Sequence, residues 1–204
     1  MQFLHPLFTI TILILIGYSF LEVYGREIKN YKSVWFIVIA LIIFAGFRKG
    51  VGADYPIYEG MYTYFPLHTD FGEIFSKALF LKNNLEIEWL FLLFNNTFFL
   101  LGLPFFIFTA FVAILSIAPK FYMMEKSVAY PATALLLYLI PSYFIADCGQ
   151  IRQGLSMALA IYSFKYIKER NLLLFLIVMY FALGFHKSAV LFIPAYWLAK
   201  VPLT

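Results

Sequence analysis

A chain of 204 residues that is 63% hydrophobic and only 13% charged is not an ordinary soluble domain, in which roughly a quarter of the residues carry charge. Its net charge of +4 is spread between apolar runs, so it does not point to nucleic acid as a partner. The single cysteine, Cys148, excludes an internal disulfide framework. What remains is an all-α, polytopic integral membrane protein.

In chain order, Pro6 to Val23 has about the length a bilayer needs and reads as the first span, retained rather than cleaved as a signal peptide. Arg26, Lys29 and Lys32 follow it. Ser33 to Phe47 is a shorter second span that opens near Trp35. After Arg48 to Tyr55 comes a polar, tyrosine-rich loop reaching Asn84. Inside it, Phe71, Ile74, Phe75, Ala78 and Leu79 recur at helical spacing, with Glu73, Ser76, Lys77 and Lys82 on the other face. That pattern predicts a helix lying in the membrane interface.

Leu85 to Leu101 is apolar but carries Glu86, Glu88, Asn95, Asn96 and Thr97, which suits a re-entrant helix packed on protein better than a lipid-facing span. Phe105 to Ala118 is the next span, with Pro119-Lys120 as its end. Ala132 to Ala146 rises with a kink at Pro141, and Gly149 to Ile167 descends. Lys168-Glu169-Arg170 forms a tight turn, Leu172 to Phe185 rises, and Ala189 to Leu198 begins a last descent through Pro194. The expectation is about six spans plus one re-entrant and one interfacial helix, as a single integral membrane domain over residues 1–204.

With Leu85–Leu101 taken as non-crossing, one face collects nine of the fifteen basic residues and four of the eleven acids. The positive-inside rule makes that face cytoplasmic. Arg48, Asp54, Glu88, Asp147, Arg152 and His186 then all fall on the outer face.

The most informative stretch is Asp147 to Gly154, a polar break between two apolar runs. Arg152 falls in the first turn of the helix that follows, where the dipole disfavours a cation. An arginine fork beside the open N–H groups of a helix start suits a phosphate. The plainer reading pairs Arg152 with Asp147 or lets it snorkel to headgroups. The arginines would neutralise a departing pyrophosphate, and His186 or Asp54 would take a proton from a sugar hydroxyl. Tyr55, Tyr58, Tyr62 and Tyr64 would stack on sugar rings or form an interfacial belt. No His/Cys cluster has metal-ligand spacing, and no nucleotide fingerprint or nucleophile elbow is present, so neither metal nor cofactor is expected.

These residues also carry a resemblance. Phe47-Arg48-Lys49-Gly50-Val51-Gly52-Ala53-Asp54-Tyr55, with Tyr58 following, resembles the Arg-x-x-x-Gly-x-Asp-x-x-x-Tyr signature of the EpsG-like family of exopolysaccharide polymerases. Glu88 followed by Asn95 resembles its Glu…Leu-Asn element. Gly149 to Leu155 resembles its Gln-x-Arg-Gln helix start, and Phe185 to Ala189 its Phe-His-x-Ser-Ala element. The resemblance implies a Wzy-type glycosyltransferase at the outer face of a bacterial cytoplasmic membrane. It would move a glycan from a polyprenyl-diphosphate donor to a hydroxyl of the next lipid-linked repeat, without a nucleotide sugar. The implied partners are lipid-linked oligosaccharide, membrane lipid and other polysaccharide-export proteins. Arg152 and Arg48 are then candidates for the pyrophosphate, His186 for the base with Asp54 second, and Glu88, Gln150 and Tyr55 for the acceptor. A non-catalytic transporter of the same lipid and a structural subunit of a synthase complex stay open beside it. Family members run longer, so the chain is expected to be a portion of a larger protein.

Overall fold

A backbone surrounded by hydrocarbon must close its own hydrogen bonds, and a helix does so within one segment. The computed structural model describes residues 6–25, 31–80 and 87–199, and these residues form helices and no strand. In order they are α1 (Pro6–Tyr24), α2 (Lys32–Gly46), α3 (Tyr55–His68), α4 (Phe71–Phe80), α5 (Trp89–Leu100), α6 (Phe105–Ser127), α7 (Pro131–Tyr138), α8 (Ile151–Lys168), α9 (Leu172–Phe185) and α10 (Ala195–Leu198). A π-helical stretch, Leu139–Asp147, prolongs α7, and a 3-10 turn, Lys187–Phe192, precedes α10.

Among the described residues, α1 and α6 are the helices long and apolar enough to cross a bilayer. At 19 and 23 residues they extend about 28 and 34 Å. The apolar helices α2, α5 and α9 are shorter, and α8 carries Arg152, Lys165 and Lys168. The expected six full spans are therefore not reached by length and composition. At 12 residues, α5 extends about 18 Å, short of the hydrocarbon thickness.

α1 packs on α2 and α7, α2 on α6, α6 on α8, and α8 on α9, while α5 gathers α3, α4 and α9. The outer surfaces of α1, α2 and α9 expose large apolar side chains such as Leu13, Phe20, Phe36 and Leu173. Between helices that lie in lipid, apolar burial adds little, and close approach and hydrogen bonds carry the packing. Thr109 Oγ1 donates to the Gly46 carbonyl at 2.6 Å, joining α6 to α2. Trp35 Nε1 donates to Glu125 at 3.0 Å, joining the other ends of the same two helices. Glu22 of α1 accepts from the Ala132 and Thr133 backbone N–H groups, at 3.0 and 2.8 Å, and so caps α7 from another helix.

Three segments differ from the sequence expectation. The tyrosine-rich loop is mostly helix, α3, opened by Pro56 in its first turn, where a missing N–H costs nothing. Tyr55, Tyr58 and Tyr62 lie on its buried face, so neither sugar stacking nor an interfacial belt describes them. On α4, Lys77 falls on the buried face beside Ile74 and Ala78, while Phe75 and Leu79 are exposed. Lys82, Glu86, Arg26, Lys29 and Lys200 lie outside the described residues.

The third difference concerns Lys120. It does not end a span: α6 continues through Pro119 to Ser127 and buries Lys120. Its Nζ meets Asp147 Oδ1 at 2.6 Å, and Ser116 and Tyr138 also donate to that carboxylate. Asp147 is thus an interior residue, paired with a lysine that charge counting put on the opposite face. Gly154 of α8 fits against this cluster, where a Cβ would stand 2.9 Å from Asp147 Oδ1 and 3.0 Å from Ser116 Oγ. The kink expected at Pro141 takes the form of the π stretch, continued by Cys148 N–H bonding to Tyr143 O and Gln150 N–H to Ile145 O, both at 2.8 Å.

Removing one partner of a buried pair leaves an uncompensated charge, whereas removing both leaves none. Asp147→Asn or Lys120→Met alone should lower stability by about 3–5 kcal/mol, and Lys120→Met with Asp147→Leu should recover most of the loss. Thermal unfolding of the detergent-solubilised protein, with membrane abundance, measures both.

Candidate anion-binding site

Three helix ends meet around one carboxylate. Glu88 precedes α5 in extended conformation, Arg152 lies in the first turn of α8, and His186 follows α9. Glu88 Oε2 accepts from Arg152 NH1 at 2.6 Å, and its Oε1 accepts from the Lys187 backbone N–H at 3.1 Å. The pairing of Arg152 with Asp147 considered from sequence does not form. A cation opposed by the α8 dipole is instead neutralised from α5. The side chains of Arg152 and Glu88 keep 20% and 14% of their surface exposed, so the pair is reachable. The guanidinium lies 5.9 Å from the Phe91 ring centre and against the Tyr58 hydroxyl. Its Nε is buried with no hydrogen-bond partner. The exposed part of the fork can receive an oxyanion while Nη1 stays anchored on Glu88.

His186 is fixed by its own chain. The Ser188 N–H donates to His186 Nδ1 at 3.2 Å, capping the 3-10 turn, and Ser188 Oγ lies 2.8 Å from the same nitrogen. A ring whose Nδ1 accepts carries its proton on Nε2 when neutral. Burial, the largest influence, lowers the His186 pKa; Glu88 opposes the shift, while Arg152 and Lys187 add to it. The neutral ring therefore offers a donor from Nε2, the reverse of what a base provides.

The other candidates sit around this core. Arg48 is buried, donating to Val51 O at 3.2 Å and to the Ala45 carbonyl, with its guanidinium 6.0 Å from the Tyr55 ring centre. These contacts fold residues 48–54 over the end of α2 and use two of the five guanidinium donors. Gly52, at φ 106°, brings that loop against the Cys148 carbonyl, where any Cβ would collide. Two of the sequence motifs therefore touch backbone to backbone. Asp54 is half-buried at the start of α3, makes no capping hydrogen bond, and acts electrostatically on Tyr58, which Arg152 also contacts. Asp54 forms no ion pair with Arg48 or Lys49. Gln150 is exposed just before α8, and its side chain does not cap it.

Sequence reading missed Lys77 and the backbone of Lys187 as neighbours of Glu88, and read Tyr58 as a stacking or belt residue rather than a partner of Arg152. Lys77 donates to the Ile87 carbonyl, beside Glu88. Its position three residues after Ile74 was the available signal, since i and i+3 share a helix face. Asn95 and Asn96 are buried and donate to the Met61 and Thr69 carbonyls, tying α5 to α3.

Apolar outer helices around a cluster of paired charges at converging helix ends define a class of all-helical protein rather than one activity. A family model described as the EpsG family matches residues 32–204, a span holding all four motifs, and the chain belongs to that family. The family is membrane-associated and serves exopolysaccharide biosynthesis. No curated protein and no solved structure matches the chain.

In a His5→Gln, His68→Gln background, His186 should titrate below the ordinary histidine value of about 6.5. Glu88→Gln should lower the midpoint further, because it removes the one influence that raises it. NMR of labelled histidine reads both midpoints; a rise in the Glu88 variant would contradict the arrangement.

Proposed function

We propose that this chain polymerises lipid-linked oligosaccharide repeats, transferring a growing glycan from a polyprenyl diphosphate to a sugar hydroxyl at the outer face of the bacterial cytoplasmic membrane. The observation that carries this reading is the partly exposed Arg152 fork, held by Glu88 at the start of α8 beside a histidine donor. As the bond between the anomeric carbon and the diphosphate oxygen breaks, the electron pair goes to the diphosphate. Arg152 and His186 Nε2 stabilise that charge. The acceptor oxygen forms the new bond and yields its proton to Asp54, a nearby carboxylate that forms no ion pair among the described residues. Glu88 positions Arg152, Gln150 meets the acceptor, and Arg48 and Tyr55 shape the loop that carries Asp54.

The outward orientation rests on the charge distribution. With Lys120 and Asp147 set aside as a neutral interior pair, one side keeps eight basic residues and four acids against six and six on the other. The chain acts as one multi-pass membrane unit.

Polymer length and membrane abundance test the chemistry. Arg152→Lys keeps the charge but loses the fork, and should cost about 2–4 kcal/mol in the transition state, roughly 30- to 1000-fold in rate. Asp54→Asn should stop polymer growth. His186→Gln, which retains an N–H donor, should keep more activity than His186→Ala. Near-normal polymer from Arg152→Lys at normal abundance would end the diphosphate assignment.

Orientation is tested separately. In a Cys148→Ser background, a cysteine at Asp70 should react with an impermeant thiol reagent applied to intact cells, and one at Lys168 should not.

A further inference from the structure

At the opposite pole, α6 and α8 end side by side around a cavity of about 250 Å³. The 18 residues of α8 separate it from Arg152 by about 25 Å. Lys126 and Ser127 of α6 line it, with Lys165, Lys168 and Glu169 from the end of α8. A helix C-terminus favours nearby cations, which accounts for lysine in each last turn. It does not account for three lysines turned toward one hollow.

Among the described residues, the acids of this pole do not balance them. Glu125 accepts from Trp35, and Glu22 caps α7. Glu169 approaches Lys165 only at 3.8 Å, in a surface pair worth little. Lys168 Nζ reaches Ser127 Oγ at 3.3 Å and lies 4.9 Å from the Phe164 ring centre, which turns its charge toward the hollow. One helical turn from the lysines, on the side away from the helix ends, Tyr122 and Phe164 are exposed. A charged seat below an aromatic wall suits a molecule with a phosphate at one end and hydrocarbon at the other.

We propose that this hollow binds the phosphate of an anionic phospholipid, with Lys126, Lys165 and Lys168 as its donors and the lipid chains lying along Tyr122 and Phe164. The site is separate from the polymerase reading and needs only that the chain sit in a membrane.

The test uses the full chain purified in an uncharged detergent, with thermal unfolding and native mass spectrometry as readouts. Phosphatidylglycerol or cardiolipin should raise the unfolding temperature by about 5 °C. They should also remain bound in the mass spectrum, where phosphatidylcholine does neither. Lys126→Gln with Lys165→Gln and Lys168→Gln should lose the shift while unfolding at the wild-type temperature without lipid. Lys49→Gln, exposed on a different loop, should keep it. Should the triple variant prove unstable, Lys126→Gln alone should weaken lipid binding about fivefold, the loss of about 1 kcal/mol expected for one basic residue. An unchanged response in the triple variant or in Lys126→Gln would overturn the proposal. So would equal stabilisation by phosphatidylcholine, or by inorganic phosphate alone, which would mark a free-anion site.

Discussion

Lys120 and Asp147 form an ion pair in the interior, where neither charge is tolerable alone. Desolvation of both groups consumes much of their attraction, so the pair adds little net stability over a well-packed apolar alternative. Its consequence is register. It pins the end of the π stretch to the middle of α6, and α8 starts four residues later. Ser116 and Tyr138 complete the carboxylate's hydrogen bonds, and Gly154 leaves the room they need. The first turn of α8, and with it Arg152, is placed from there.

The same logic governs the site. Each of its groups stands at a helix end, where backbone groups lack intrahelical partners. Glu88 accepts from α8 and from the turn after α9 at once, so α5 is bolted to both. His186 is oriented by the backbone of Ser188 rather than by a distant residue. The polar elements brace one another locally, while the aromatic packing of Tyr58, Phe91 and Phe108 supplies a stiff floor.

The long apolar helices were legible in the sequence because their ends coincide with breaks in hydropathy. α1, α2 and α9 begin and end within a residue or two of expectation. The errors arose where a polar residue was taken to mark a boundary. Lys120 follows a proline, and the pair reads as a helix end; only a partner far along the chain reveals it as interior. Tyr55, Tyr58 and Tyr62 were read by composition, although their spacing already follows one helix face. For the candidate site, motif order singled out Glu88, Arg152 and His186, which the fold brings together, but not their mutual contacts. Whether an arginine meets a carboxylate from α5 or from its own approach depends on tertiary placement, which spacing along the chain does not encode.

The π stretch, Leu139–Asp147, gives the connection a particular mechanical character. Its wider bonding, reaching five residues instead of four, takes up more chain per turn than an α-helix of equal height. The segment therefore stores contour length. If it tightened toward α geometry, the surplus would pass into the Cys148–Gln150 linker, and Asp147 would rotate off Lys120. The linker that leads into the Arg152 turn would then lengthen or shorten with the winding state of its neighbour, as a screw thread converts rotation into travel.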